Sequence, residues 1–448
     1  MSGKIVSRKV AESQNRKCEQ SVQPERRQPT AGTQQFLNDD GLSARQNSAS
    51  GVSSESHRLA AREPVAGLAA PAEQQQPAEG SVIKIFDLLR RYTADFVKHH
   101  GPQAVPQVQS TLAKLELCRT AALGGHLYRC DPCDFECRVH NSCGDRHCPQ
   151  CAGAKRADWL TSTSQLLLPG ITYFPVVFTI PDTLSSLALG NREAIYDLLF
   201  RSAWKTLRNV IADEQQFEAA AVMVLHTWNQ KLEAHAHVHA LVLGGGPSLN
   251  GERRWIKSRR PHVKHCDGNY LVDSEELKAQ FRENFLAGLR RLHTSGELSL
   301  NGDWEHLQSK TAFDDWLKPL ESITWVVYIE PPPYEHCPPD QVAKYLARFL
   351  TGGPISDRRI VSHEDGCVTF LARVGKRTGG DDEAEPIRLR GAEFVRRWSL
   401  HILPKGYTKT RRFGGYWNGR REAYIAECRA LLAAADVESS ASPALVSR

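Results

Sequence analysis

The sequence predicts an α+β protein in which a small zinc-binding module precedes a larger domain built on a mainly antiparallel sheet flanked by helices. Strand-like and helix-like segments mix irregularly instead of alternating as they would around a parallel sheet. Cysteines cluster between Cys118 and Cys151, with two pairs in C-x-x-C spacing. The 448 residues, 41% hydrophobic and 24% charged, are enough for two or three domains with their own cores.

The elements follow from local pattern. Residues 1–80 are rich in Ser, Gln, Ala, Glu and Arg and nearly free of aromatics, and 69–80 reads AAPAEQQQPAEG, so this arm is predicted to be disordered. Order begins near Ser81, where Ile85, Leu88, Leu89, Tyr92 and Phe96 repeat at helical spacing. The zinc-binding domain is placed at 81–165 and the following domain at 166–425, with a helical end and loose tail at 426–448. YFPVVFTIP (173–181) is a buried strand closed by Pro181. Residues 190–217 form a helix, then AAVMVLHTW (220–228) and HAHVHALVLGGG (235–246) form strands. GGGPSLNGERRW is a loop, and 275–293 is a helix with Leu277, Phe281, Phe285 and Leu289 on one face. ITWVVYIEP (323–331) and CVTFLARV (367–374) are strands, separated by a short helix at 340–351. A charged turn, GKRTGGDDEAEP, leads to a helix at 391–402, and RREAYIAECRALLAAA is the last helix.

Composition narrows the function classes. No run approaches the roughly 18 to 20 apolar residues of a membrane span. The basic N-terminus has no apolar segment behind it, so a secretory signal is not expected and the protein is read as cytoplasmic, bacterial and nucleoid-associated. The net charge of +6 points only weakly to a polyanion, but the positive charge is concentrated toward the C-terminus. Twelve cysteines in a reducing compartment favour metal ligation over disulfides.

Two constellations carry metal chemistry. Cys130-x-x-Cys133 and Cys148-x-x-Cys151 can together close a four-sulfur zinc site. A second zinc could use Cys118 and Cys143 with a histidine, though no clean spacing selects the set, and the flanking Arg146, His147, Lys155 and Arg156 suit a DNA contact. His235, His237 and His239 alternate on an otherwise apolar strand, so their side chains share one face while Ala236, Val238 and Ala240 take the other. His237 and His239 are read as ligands of one divalent metal. His226 and His235 are the nearest sources of a third ligand, with Glu330 and Gln341 weaker. Open coordination positions would then accept phosphate oxygens.

The segment DQVAKYLARFLTGG reads as an amphipathic helix started by Asp340 and ended by Gly352. Its Tyr345 is either half-buried packing or, bordered by Lys344 and Arg348, a nucleophile for a phosphodiester.

Taken together, CRTAALGGHLYRC…NSCGDRHCPQC, FTIP, HTW…HAHVHALVLGGG, KYLARFLTGGPISDRRI and HILPKGYTKTRRFGG resemble the HUH-class transposases of the insertion-sequence ninety-one type. The resemblance runs in order from about residue 85 to about residue 425. It implies a zinc-binding N-terminal domain and an HUH catalytic domain with an RRM-like antiparallel sheet. It also implies rolling-circle-type transposition of single-stranded DNA at mobile-element ends. By the same resemblance His237 and His239 bind the catalytic Mg²⁺ or Mn²⁺, and Tyr345 forms a 5′-phosphotyrosine. Many members carry a second tyrosine four residues on, where this chain has Phe349.

Lys344, Arg348, Arg358 and Arg359 would offset phosphate charge. Arg396, Arg397, Lys405, Lys409, Arg411 and Arg412, interleaved with Trp398, Tyr407, Phe413, Tyr416 and Trp417, suit single-stranded DNA. No membrane partner is expected, and a homodimer is one assembly the reading allows. A plasmid replication initiator or relaxase would use the same groups. A catalytically inactive zinc-containing DNA-binding relative and a metal-dependent hydrolase are the other readings.

Overall fold

A computed structural model describes residues 5–10, 83–103, 105–131, 133–259, 271–330, 341–342, 344, 347, 353–373 and 384–441. In chain order, β1 (Ile5–Val10) is followed by α1 (Ile85–His99), α2 (Pro106–Glu116), the hairpin β2 (Gly125–Cys130) and β3 (Glu136–His140), and α3 (Ala152–Ser164). Next come β4 (Tyr173–Thr179), α4 (Ser185–Gly190), α5 (Arg192–Gln215), β5 (Ala220–Trp228) and β6 (Ala234–Leu243). The ribbon β7 (Gly245–Pro247) and β8 (Trp255–Lys257) leads to α6 (Ser274–Thr294), α7 (Lys310–Ser322) and β9 (Val326–Ile329). The chain continues through β10 (Ile360–Glu364), β11 (Cys367–Arg373), β12 (Ala384–Arg390), α8 (Gly391–Ser399), β13 (Thr410–Gly414) and α9 (Arg421–Ala441).

The α+β expectation holds. A five-stranded sheet has the order β13-β5-β6-β4-β9, with every neighbouring pair antiparallel. β5 is buried along its whole length except at Trp228. That explains its unbroken apolar run, because both of its faces are covered. Ala221, Met223 and Leu225 pack with Leu199 and Leu207 of α5 and Phe281 and Phe285 of α6. Ala220, Val222 and Val224 face the other way and pack with Tyr173, Leu241, Tyr416 and Tyr424. Val342 is buried in this second layer, and Gln341, Val342, Lys344 and Ala347 are helical. Tyr345, Arg348 and Phe349 lie outside the described residues.

A separate apolar cluster joins distant parts of the chain. Leu88, Leu89 and Phe96 of α1 and Leu112 of α2 pack with Val368 and Phe370 of β11 and Phe394 and Trp398 of α8. Gly391 lets α1 and α8 approach, since a Cβ there would run into the Tyr92 ring. Asp357 accepts a hydrogen bond from the Ile85 N–H at 3.0 Å, satisfying the start of α1 where Lys84 supplies no side-chain cap.

Several strands differ from expectation, among them the β7–β8 ribbon at the stretch read as a loop. Ile5–Val10, inside the arm that composition predicts to be disordered, pairs antiparallel with β2; the rest of residues 1–80 lies outside the described residues. Its β-branched Ile5, Val6 and Val10 suit a strand, and β2 offers unpaired backbone groups on that edge. The charged turn before residue 391 ends in β12, where Glu385, Ile387 and Leu389 turn inward and Pro386, Arg388 and Arg390 outward. The basic stretch before Trp417 contains β13, the edge strand of the central sheet. Among the described residues, no helix is long and apolar enough to cross a membrane.

Candidate metal centres and their surroundings

The histidine site follows from strand register. β5 and β6 pair so that His226 stands directly across from His237, and His239 stands across from Val224. All three imidazoles therefore rise from one face at neighbouring positions, and their ligand atoms lie within 4.8 Å of one another. Ring centroids are separated by 5.2 Å (His226–His237), 4.8 Å (His226–His239) and 4.9 Å (His237–His239). A register shift between His226 and Trp228 ends the regular pairing there, and the Trp228 ring stacks on His226 at 4.4 Å.

The surroundings keep His237 and His239 neutral. Burial lowers His237 to about 4 and holds His239 well below the ordinary imidazole value. The Nδ1 of His237 lies 2.9 Å from the His235 carbonyl. A carbonyl only accepts, so Nδ1 carries the proton and the Nε2 lone pair is left for a cation. His401 sits behind the site, donating from Nε2 to the Leu232 carbonyl and accepting from Thr227 Oγ1, both at 3.2 Å. Three convergent imidazoles, two of them held neutral by burial, are a donor set that fits a divalent metal.

His235 is not part of this group. Its Nδ1 turns to Asp182 Oδ1 at 2.7 Å, so its strand position puts it beside the site while its side chain engages a carboxylate. The backbone N–H of Glu330 bonds the Pro175 carbonyl, and its carboxylate is not among the converging His226, His237 and His239 ligand atoms. His226 supplies the third imidazole because β5 lies next to β6, a pairing that no local sequence pattern encodes.

The cysteine site needs a correction. Cys148 and Cys151 converge with Cys118 and Cys143, not with Cys130 and Cys133. The Cys118–Cys151, Cys118–Cys148 and Cys143–Cys151 sulfur separations are 3.6, 3.6 and 3.7 Å. Zinc–sulfur bonds of about 2.3 Å in a tetrahedron place sulfurs roughly 3.8 Å apart, so the four thiols fit a structural zinc. The hairpin explains the difference. Cys130 ends β2 and Cys133 follows in its tip turn, with the Cys133 N–H on the Cys130 carbonyl at 3.3 Å. Cys118, just after α2, and Cys143, just after β3, both lie near the hairpin base, which Asn141 ties through its N–H to Gly124. Five residues of strand separate base from tip, about 17 Å.

The basic flank of this site also differs from expectation. Arg146 donates to the carbonyls of Pro404, at 2.7 Å, and Tyr407. His147 accepts from the Leu403 N–H at 3.2 Å and donates to Asp145 at 3.0 Å. These side chains fasten the cysteine knuckle to the loop before β13 instead of reaching outward. That loop delivers Lys409, whose carbonyl accepts from Leu225 N–H at 2.9 Å and whose Nζ lies 4.9 Å from the Trp228 ring centroid. Burial lowers Lys409 to about 7.

Several cations read as DNA-binding are engaged within the fold. Arg359 donates to the carbonyls of Leu371 and Gln230. Arg396 and Arg397 share Glu393, which their hydrogen bonds hold at about 2 against the opposing effect of burial. Arg411 pairs with Asp197 and lies over the Phe200 ring, and Arg412 donates to Asn418 at 3.4 Å. Arg358, Lys344 and Lys405 are exposed. Of the interleaved aromatics, Trp398, Tyr407 and Tyr416 are buried and Phe413 partly so, whereas Trp417 is 62% exposed.

Comparison with known proteins places this arrangement in context. Residues 88–180 match the family described as "Transposase zinc-binding domain", and residues 220–423 match that described as "Putative transposase". The chain is 37% identical over 351 residues to "Putative transposase y4qJ" of Sinorhizobium fredii (strain NBRC 101917 / NGR234), covering 78% of this chain and 84% of that one. It is 26% identical over 318 residues to "Transposase for insertion sequence element IS801" of Pseudomonas savastanoi pv. phaseolicola, covering 68% and 69%. Among solved structures, it is similar to the conjugative relaxase TrwC in complex with oriT DNA, metal-bound, at 15% identity and a TM-score of 0.22. That match covers 51% of this chain and 70% of the relaxase, a likeness too weak to build on.

Proposed function

The chain belongs to the IS91-type transposases with an N-terminal zinc-binding domain, and from that premise we propose that it cleaves and rejoins single-stranded DNA through Tyr345 at the His226–His237–His239 centre. The observation that supports this reading best is the convergence of three imidazoles on one sheet face. A divalent cation held there, Mg²⁺ or Mn²⁺, would polarise a non-bridging oxygen of the scissile phosphate.

The chain's own groups account for the rest. His226, His237 and His239 fix the position of the phosphate. Lys409, carried beside them just before β13, stands next to the same face with an amine that burial leaves only partly charged near pH 7. Val342 is buried in the same apolar cluster as Val224, the residue paired with His239, and Tyr345 follows Val342 by three residues in the sequence. In the proposed step the Tyr345 oxygen forms a bond to phosphorus and the bond to the 3′-oxygen breaks. The phenol gives up its proton and the departing oxygen gains one. The resulting 5′-phosphotyrosine ester conserves the bond energy, and a 3′-hydroxyl can reverse it. Phe349 has no nucleophile, so Tyr345 works alone on this segment. The Cys118–Cys143–Cys148–Cys151 zinc is structural in this scheme, and 81–165 and 166–425 serve as its zinc-binding and catalytic parts.

The test is cleavage of single-stranded oligonucleotides from the element's ends with Mg²⁺ or Mn²⁺, resolved on denaturing gels. The parent is expected to form a covalent protein–DNA adduct that Tyr345→Phe abolishes. Cleavage with no adduct would overturn the tyrosine mechanism in favour of hydrolysis.

A further inference from the structure

At the far end of the central sheet, the β7–β8 ribbon and α9 border a groove of about 690 Å³ that the catalytic scheme does not use. From His237, β6 runs six residues to Leu243 before the ribbon begins, about 20 Å at strand rise. Arg253, Arg254, Lys257 and Arg259 all line the groove and are all exposed.

The carboxylates that pair with this cluster are already shared: Glu427 and Glu218 are both taken by Arg253, and Glu218 also by Arg420. Among the described residues, no ion pair engages Arg254, Lys257 or Arg259. The backbone bearing them is held firmly. The Arg254 N–H donates to Ser248 Oγ at 3.1 Å, and the buried Gln215 amide both donates to the Arg259 carbonyl (3.0 Å) and accepts from its N–H (2.8 Å). Three cations outside those ion pairs on a fixed ribbon form a surface for a polyanion.

Among the described residues lining the groove, Trp255 is the one aromatic, and its half-buried ring packs against Gly245 and the Tyr416–Tyr424 layer instead of standing clear as a stacking platform for a base. A duplex presents phosphates and hides its bases. We infer that this groove holds the phosphate backbone of double-stranded DNA lying beside the single-stranded segment at the histidine centre. The 20 Å offset corresponds to about six phosphates along one duplex strand. The inference rests on the DNA-cleaving reading above but concerns a separate surface.

The experiment measures binding of the full chain to a labelled duplex and to its single strand across a salt series. The variant combines Arg254→Gln, Lys257→Gln and Arg259→Gln. Duplex affinity is expected to fall about tenfold or more near 0.1 M salt, and the slope of log K against log salt to become shallower by about 2.7, for three phosphate contacts. Single-strand affinity and cleavage should be unchanged, and the Arg254→Lys/Arg259→Lys pair should keep the parental slope. Unchanged duplex affinity and slope in the triple variant would overturn the inference. So would a parallel loss of single-strand binding, which would assign the groove to the cleaved strand. Failure of the tyrosine mechanism would appear separately, as an adduct unaffected by Tyr345→Phe.

Discussion

His226 stands across from His237, whereas His235, two residues before it on the same strand, is held by Asp182. The two are expected to respond differently to removal. His226→Ala should weaken Mn²⁺ binding and oligonucleotide cleavage by at least the roughly 10–100-fold that even an outer-shell change costs, as should His237→Ala or His239→Ala. His235→Ala should stay within a few-fold of the parent; equal losses at 226 and 235 would mean the ligand set is wrong. His401 gives a pH signature away from the ligands. Burial lowers it to about 3, so it stays neutral in the fold while the unfolded chain takes up its proton near 6.5. Its contribution is complete above about pH 6.5 and drains as the pH falls toward 3, by at most about 1.4 kcal/mol per unit. Urea midpoints at pH 7, 6 and 5 are expected to fall less steeply for His401→Gln than for the parent.

The β2–β3 hairpin decides which thiols meet. C-x-x-C spacing makes Cys130–Cys133 and Cys148–Cys151 equally good half-sites, but the hairpin carries the first pair to its tip and brings Cys118 and Cys143 together at its base. Cys118→Ser or Cys143→Ser is therefore expected to lose the bound zinc, and Cys133→Ser to retain it, as read by metal analysis of the purified proteins. With on the order of 10 kcal/mol in a structural zinc site, the first two variants should also lose the order of their knuckle. Zinc retained in Cys118→Ser would restore the pairing that spacing alone suggests. Arg146 links the same knuckle to the loop before β13. Arg146→Ala should keep the zinc yet speed amide exchange at Leu403 and Tyr407, whose N–H groups now bond His147 and Pro404.

The apolar cluster of α1, α2, β11 and α8 makes the zinc-bearing segment part of the same folded body as residues 355–402. Phe96 is fully buried there, and Phe96→Ala is expected to cost about 3–5 kcal/mol. A chain starting at residue 166 would expose Val368, Phe370, Phe394 and Trp398 to water. It is expected to be rapidly proteolysed, and the full chain to melt in one calorimetric transition. Two separate transitions would show that the segment before residue 166 folds on its own.

Much of this protein was legible before any coordinates. Period-two histidines on an apolar strand announced a ligand-bearing face, and helical spacing located α1 and α6, because those signals arise within a few residues of backbone. The composition of the basic C-terminal stretch was equally visible, but it does not tell which cations the fold engages. Arginine type does not say whether a guanidinium meets Asp197, Glu393 or a phosphate. The tertiary structure alone brought His226 opposite His237, joined Cys118 to Cys148, and left Arg254, Lys257 and Arg259 outside the ion pairs formed among the described residues. Each of these depends on strand register or on contacts between residues far apart in the chain, and those are set by packing across the whole core, where local pattern carries no information.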